Sequence, residues 1–471
     1  MNNIQYFDYL IVGSGPGGTT AAKIILDNSD SEVCIVEEGA FEVNKINMGT
    51  YDDLTKRYRF GGAEIAFGKP NISIAEGKTV GGGSEVNSGI YHQLSERLVN
   101  NWRNEFMINN FEYKHLSDHI NYIEELLKIS QAEYMSTISE KINNGARNIN
   151  KEAENTFQWI DRSKGKSIKQ SMTEVFYKKN KKIKLFQNSK VKLIKFKSGA
   201  AVTAICDTDE GQIQINFKNL ILACGTIQTP VLLNNSGYKF NNEVSFNLHP
   251  HLKIAGQFKE SVDSPELVSN YQIKLPEYSS SIGASINSKQ WKALMLLENW
   301  NEYSEDNLVE QIDKIGVFYT MIKPSGSGKI RFLKPFKNYL LTYDYKEIDK
   351  ENLYLSTSLL IKMLLSQNCE KLFLATSKLT PITNEKDFDR ITFLKIFNSL
   401  GLHSVHTFSS LRMGETNSET DSYGKLKNVK NVFVADASII PSPPGVNPQG
   451  ILMTLVSRNI MYSLENNLFQ K

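Results

Sequence analysis

Two apolar periodicities alternate along the chain. Tyr6 to Val12 reads as a buried parallel strand, with Leu10, Ile11 and Val12 running into a glycine turn. Ala21, Ala22, Ile24, Ile25 and Leu26 then give a helix one apolar face, and Glu32 to Val36 predicts a second strand. Residues 100 to 180 read as helical, with Leu116, Ile120, Ile123, Leu126 and Leu127 at helical spacing and Ser117 as the capping residue. From 250 to 400 the period drops to two. Ile315, Val317 and Tyr319, and then Ile330 and Phe332, predict antiparallel strands, with a helix from Leu353 to Leu365 packed on them. Strands at Val191–Ile194, Asn219–Ala223 and from Asn431, and an apolar helix from Ile451 to Ile460, complete the pattern. No internal repeat is visible, and no apolar stretch approaches the roughly 18 residues of a membrane helix.

Composition narrows the class without naming a chemistry. At 471 residues the length favours two to three domains of about 150 residues each. Lys plus Arg number 54 against 51 Asp plus Glu, a net charge of +3, which argues against a nucleic-acid partner. Four cysteines without a CxxC pair exclude a disulfide framework, and Cys34 and Cys224 read as core fillers. The start, Met1 to Gly18, leaves no room for a signal peptide, so a cytoplasmic protein is expected. Lys178 to Lys182 reads as a solvated helix end.

Chemistry first shows in the glycines. Gly13, Gly15 and Gly18 spell GxGxxG between the first strand and helix. There the first glycine permits the turn, the second admits a pyrophosphate to the backbone, and the third lets helix and strand pack. Glu37 ends the second strand nineteen residues beyond Gly18, where an acid accepts hydrogen bonds from an adenosine ribose. Glu38 adjoins it, but the order Glu37-Glu38-Gly39 favours Glu37. An ordinary α/β glycine turn is the alternative. A second cluster, Gly77-Lys78-Thr79-Val80-Gly81-Gly82-Gly83-Ser84-Glu85-Val86-Asn87-Ser88-Gly89-Ile90-Tyr91, offers backbone N–H groups to a phosphate- or flavin-bearing ligand through Gly81, Gly82, Ser84 and Asn87.

At these residues the chain resembles the glucose–methanol–choline (GMC) oxidoreductase family, whose signature residues 77 to 91 match at every position. Gly225 to Gly237 is similar to a second family signature, departing from it at Tyr238 and Lys239. The strand at Val191 resembles the segment that packs on the FAD adenine. Asn247-Leu248-His249-Pro250-His251 resembles the family's crossover into the substrate domain; His249 and His251 are read as structural, a metal pair there having no evident third ligand. His406 stands seven residues before Met413 and eight before Gly414, the family spacing of the catalytic histidine, although Thr407, Ser409 and Ser410 replace Pro, Gly and Thr. His403 lacks that spacing and is assigned to packing or solvent. Asp436 and Ala437, ending the strand from Asn431, resemble the family's contact to the ribityl and pyrophosphate part of FAD. Asn447, forty-one residues after His406, matches the second catalytic position, and Pro448 and Gln449 open the final helix.

The resemblance implies an α/β fold: a Rossmann-like FAD-binding domain with a parallel sheet, plus an α+β substrate domain with a mostly antiparallel sheet. The expected division is FAD-binding at 1–100, a helical segment and lid at 101–180, FAD-binding again at 181–247, substrate-binding at 248–400, and FAD-binding with the catalytic residues at 401–471. It also implies oxidation of an alcohol to a carbonyl, with hydride passing to flavin N5 and the proton to His406 while Asn447 holds the hydroxyl. FAD is expected to be non-covalent, because no tethering His lies near Glu85 and Val86. The expected partners are a small-molecule alcohol and O₂ or another oxidant, with no metal, no nucleic acid and no membrane span. The spelling of residues 81 to 92 looks closest to members acting on sugars or cyclitols, so a sugar, glycoside or cyclitol hydroxyl is the expected substrate. The alternatives are a non-sugar alcohol or a degenerate, non-catalytic flavin binder. A disulfide-reductase relative is disfavoured by the lack of a CxxC and of a second GxGxxG.

Overall fold

The structure is a computed structural model that describes residues 4–41, 49–133, 135–163, 167–180, 183–262, 269–285, 288–296, 310–333 and 337–470. The apolar run at the start forms the strand Ile4–Val12, which pairs in parallel with Val33–Val36 on one side and Gly211–Leu222 on the other. Lys184–Phe186 extends this sheet beyond Val33–Val36, and Val432–Val434 joins the end of Gly211–Leu222, both in parallel. Leu10, Cys34 and Leu220 lie side by side with no exposed surface, because helices cover the sheet. Pro16–Asn28 packs against Gln449–Glu465, which in turn carries Tyr113–Leu127. Ala200–Thr208 and Lys190–Lys197 add an antiparallel meander.

A second, larger sheet is mostly antiparallel. Its centre is His251–Phe258, flanked by Ile315–Ile322 and by Leu402–Ser404 and Cys369–Leu374. Glu347–Leu365 packs on Ile315–Ile322, the helix expected from Leu353 onward. Glu64–Phe67 and Ile72–Ile74, from the first hundred residues, hydrogen-bond into this sheet, as do Leu402–Ser404 and Thr407–Phe408. The chain thus crosses between the sheets more often than boundaries at 100 and 401 allow, and these crossings bring residues of both sheets to one cavity. The fold is α/β, a parallel dinucleotide-binding sheet beside an antiparallel one.

Some local expectations are corrected. Residues 100 to 180 hold the helices Glu96–Phe106, Tyr113–Leu127 and Thr137–Asn148, but short strand pairings replace helix between 154 and 169. Ser117 is not a cap: the helix begins after Glu112, and the Ser117 hydroxyl donates to the Lys114 carbonyl at 2.8 Å. Lys178 and Lys179 are exposed; Lys181 and Lys182 lie outside the described residues. Cys34 is core, whereas Cys224 is half-buried, lines the cavity and donates to the Val12 carbonyl. Among the described residues no helix is long and apolar enough to cross a membrane, and no group of three potential ligands is placed to hold a metal.

Candidate active site

A cavity of about 1030 Å³ is lined by both sheets. At its nucleotide end the first strand breaks at Gly13, whose φ of +105° suits glycine and where a Cβ would lie 2.1 Å from the Ala223 carbonyl oxygen. Gly15 caps the Pro16–Asn28 helix without a side-chain partner, so free N–H groups open beside the cavity that Gly13, Gly15, Pro16 and Gly17 line. Gly82, from the second glycine cluster, comes so close that a Cβ on it would meet the Gly15 Cα at 2.7 Å. Two glycine segments far apart in sequence thus form one bare cradle, the shape a pyrophosphate requires.

The acids around this cradle are fixed by the chain itself. Glu37 accepts from the Ser14 N–H at 2.9 Å, the Ser14 hydroxyl at 2.7 Å and the Gly39 N–H at 2.8 Å, while burial raises its pKa. Burial would also raise Glu38, but Arg59 and Lys190 beside it hold the carboxyl at about 2. Asp436 accepts from the Gly225 N–H at 3.0 Å, the Ser438 N–H at 2.9 Å and the hydroxyls of Thr229 and Ser438; burial raises it too. Arg59 and Glu76 also line this end, paired at 3.4 Å, and no motif announced either.

Most of the expected site residues share this one cavity. Gly13, Gly15, Glu37, Gly82, Asn87, Val191, Gly225, His406, Asp436, Ala437, Asn447, Pro448 and Gln449 all line it. Gly18, Gly81 and Ser84 do not. A Cβ on Gly18 would strike the Gly13 carbonyl oxygen, so Gly18 serves packing. Ser84 donates to the Gly81 carbonyl at 2.7 Å and accepts from the Met172 N–H at 3.0 Å, and the Gly81 N–H donates to the Ser14 hydroxyl at 3.0 Å. Gly81 and Ser84 therefore latch the glycine loop from behind.

At the other end His406 is 9% exposed and places Nε2 3.3 Å from the Asn447 side-chain nitrogen. The Ser404 hydroxyl, accepting from the His406 N–H at 3.2 Å and donating to its carbonyl at 2.8 Å, fixes the backbone there. Beyond it Ser409 has φ +73°, at the position where the family pattern carries glycine, and its buried hydroxyl has no partner. A left-handed L-residue costs roughly 1–2 kcal/mol, partly offset by the entropy glycine loses on folding. Ser409→Gly is therefore expected to raise stability by about 1 kcal/mol, read as a higher melting temperature; a lower one would contradict this account of the turn.

His249 and His251, read from sequence as structural, stand against His406. His249 Nδ1 is 3.2 Å from His406 Nδ1, and the His251 and His406 ring centroids are 5.5 Å apart. Burial, then the charges His251 and His92 would carry, push the His406 pKa well below its usual range. The Gly445 N–H donates to His249 Nε2 at 3.1 Å. Neutral His249 therefore carries its proton on Nδ1 and donates to His406 Nδ1, leaving the proton of neutral His406 on Nε2. The Asn447 oxygen, otherwise buried without a partner, accepts that proton's hydrogen bond when the amide is turned. His403, half-buried with its Nε2 enclosed and unpartnered among the described residues, also lines the cavity, so it belongs to neither solvent nor inert packing.

Fold and cavity together define a dinucleotide-binding enzyme whose cofactor cradle ends at a buried histidine–amide pair. Residues 7–253 match the N-terminal GMC oxidoreductase family profile and residues 340–455 the C-terminal one. A GMC-type oxidoreductase of Sinorhizobium fredii is 27% identical over 96% of this chain and 93% of its own length. A long-chain-alcohol oxidase of Arabidopsis thaliana is 22% identical over 94% of this chain and 66% of its own. The crystal structure of pyridoxine 4-oxidase from Mesorbium loti superposes with a TM-score of 0.72 at 14% identity, covering 97% of this chain and 99% of that one. The chain belongs to the GMC oxidoreductase family, which binds FAD, and it is an alcohol-acting oxidoreductase.

Proposed function

We propose that the protein oxidises a secondary or primary alcohol of the sugar, glycoside or cyclitol kind to its carbonyl, with non-covalent FAD reoxidised by O₂ or another oxidant. The observation that carries this reading is the His406–Asn447 pair, at 3.3 Å, in the cavity whose other end is the glycine cradle. The cradle fits FAD: glycines where a Cβ would intrude, a free helix N-terminus, and buried acids held in place. Gly13, Gly15 and Gly82 would receive the pyrophosphate, Glu37 the adenosine ribose, Val191 the adenine, and Asp436 and Gly225 the ribityl side. When bound, FAD supplies the hydride acceptor.

The remaining work falls to the chain. Asn447 and His406 bind the reacting hydroxyl and orient its carbon. His406 is kept neutral by burial, so it is able to take the hydroxyl proton. Taking it at Nε2 requires the other tautomer, with the His406 proton on Nδ1 and the His249 proton on its own Nε2, which gives up the hydrogen bond from the Gly445 N–H. His249 is thus a partner in the proton inventory. The N-terminus of Gln449–Glu465, opening at Pro448 and Gln449 on the cavity wall, stabilises negative charge that develops beside it. Polar groups on the substrate side, His251, Lys253, Ser285, Tyr319 and His403, favour a polyhydroxylated substrate over a long alkyl chain.

The test is a flavin spectrum of the purified protein, followed by anaerobic addition of a panel of sugars, aminoglycosides and simple alcohols and then admission of air. Bleaching by a polyol and recovery on aeration are expected, and acid precipitation is expected to leave a colourless pellet. A panel in which only simple alcohols bleach the flavin would contradict the substrate class, and a yellow pellet would contradict non-covalent binding.

A further inference from the structure

On the strand His251–Phe258, Leu252 and Ile254 turn into the core, while His251 and Lys253 line the cavity. Two residues along a strand span about 6.8 Å, so Lys253 sits one pleat beyond the histidine that meets His406. Among the described residues it makes no hydrogen bond and no ion pair; what it faces is the Trp291 ring, 5.6 Å from its Nζ. The cavity's acids, Glu37, Glu38, Glu76 and Asp436, all belong to the nucleotide end, and none of them offsets the desolvation of Lys253. Burial alone pushes its pKa down to about 8. Lys169, equally enclosed, is the contrast: its ammonium donates to the carbonyls of Glu85 and Asn87, each at 2.9 Å. The Trp291 indole N–H and His403 Nε2 are likewise buried without partners. An indole donor without a partner beside a positive charge that no described acid balances is costly to hold in the free protein, and it matches an acceptor-rich anion brought in by a ligand.

Resting on the reading of this cavity as an alcohol-oxidising site, we propose that the substrate carries a carboxylate which pairs with Lys253 while its hydroxyl meets His406 and Asn447. The substrate class is then sugar acids and related hydroxy acids. A single lysine balances a monoanion, which favours a carboxylate over a phosphate dianion.

The test compares matched pairs in anaerobic flavin reduction, D-gluconate with D-glucitol and D-glucuronate with D-glucose, with glucose 6-phosphate as the phosphate arm. A melting-temperature series with glutarate, which has no oxidisable hydroxyl, runs alongside. The acid of each pair is expected to show a KM about 10–100-fold lower than its neutral partner, the range of one charge-assisted hydrogen bond. Lys253→Met is expected to raise KM for the acid by the same factor and close the gap, whereas Lys253→Arg keeps part of the preference. Glutarate is expected to raise the melting temperature of the wild type and not of Lys253→Met, and ligand-free Lys253→Met is expected to melt above the wild type, having lost a half-buried charge that no described acid balances. Neutral partners reacting as well as their acids, or glucose 6-phosphate surpassing both acids, would overturn the proposal. If no compound bleaches the flavin, alcohol oxidation falls instead: a Lys253-dependent glutarate shift would still uphold the carboxylate site, and its absence would overturn that as well.

Discussion

Replacing His406 by Ala is expected to slow flavin reduction by about 10²–10⁴-fold, the range of general acid–base catalysis, while FAD stays bound. The side chain reaches the substrate end of the cavity and touches none of the glycines or acids of the nucleotide end, so its loss leaves the cradle intact. Stopped-flow reduction of the FAD-loaded variant reads the effect directly, and reduction at near wild-type rate would remove His406 from the proton step. The pH dependence carries a second signature. An ordinary histidine would protonate near 6.5, and the reaction would fail below that value. Burial places the His406 pKa well below it, so the wild-type rate is expected to stay level as pH falls through 6.5 and to drop only at distinctly lower pH.

Gly15→Val is expected to fold yet to purify without flavin, with FAD affinity reduced on the order of 10²-fold or more, as the loss of backbone hydrogen bonds to a charged phosphate implies. Gly15 has φ −67°, open to any residue, and a Cβ there meets nothing nearer than the Gly82 Cα at 3.9 Å. The protein therefore tolerates the side chain, and only a ligand pressed against the backbone does not. Gly13→Ala behaves differently, because its Cβ would strike the Ala223 carbonyl oxygen and the fold itself would suffer. Melting curves and FAD titrations of the two variants separate these cases. A yellow Gly15→Val would mean that the cofactor lies elsewhere.

The parts legible from sequence are those set by local backbone demands. The GxGxxG turn, the acid at Glu37 and the spacing from His406 to Asn447 are short-range patterns, and the structure brings Gly13, Gly15, Glu37, His406 and Asn447 into one cavity. Motif membership alone cannot show which residues of a loop face the ligand; Gly81 and Ser84 share a signature with Gly82 and Asn87 yet hold the loop from behind. The histidines tell a similar story. His249 precedes Pro250 in a crossover that reads as structural, and the antiparallel pairings of Leu248 with Thr407 and of His251 with His403 bring the cluster to His406. Lys253 left a faint trace, the one Lys, Arg, Asp or Glu in the strand His251–Phe258, at the alternation shared with His251. Its meaning depended on Trp291, thirty-eight residues away and on a helix.

The central claim is that this cavity holds FAD at its glycine end and oxidises an alcohol at His406 and Asn447. Anaerobic mixing of the FAD-loaded protein with a hydroxy substrate, protonated or deuterated at the carbinol carbon, tests it most directly. Bleaching of the flavin band, slower with the deuterated substrate, is the predicted result. A flavin that stays oxidised with every sugar, sugar acid and simple alcohol, or a protein that binds no FAD, would contradict it.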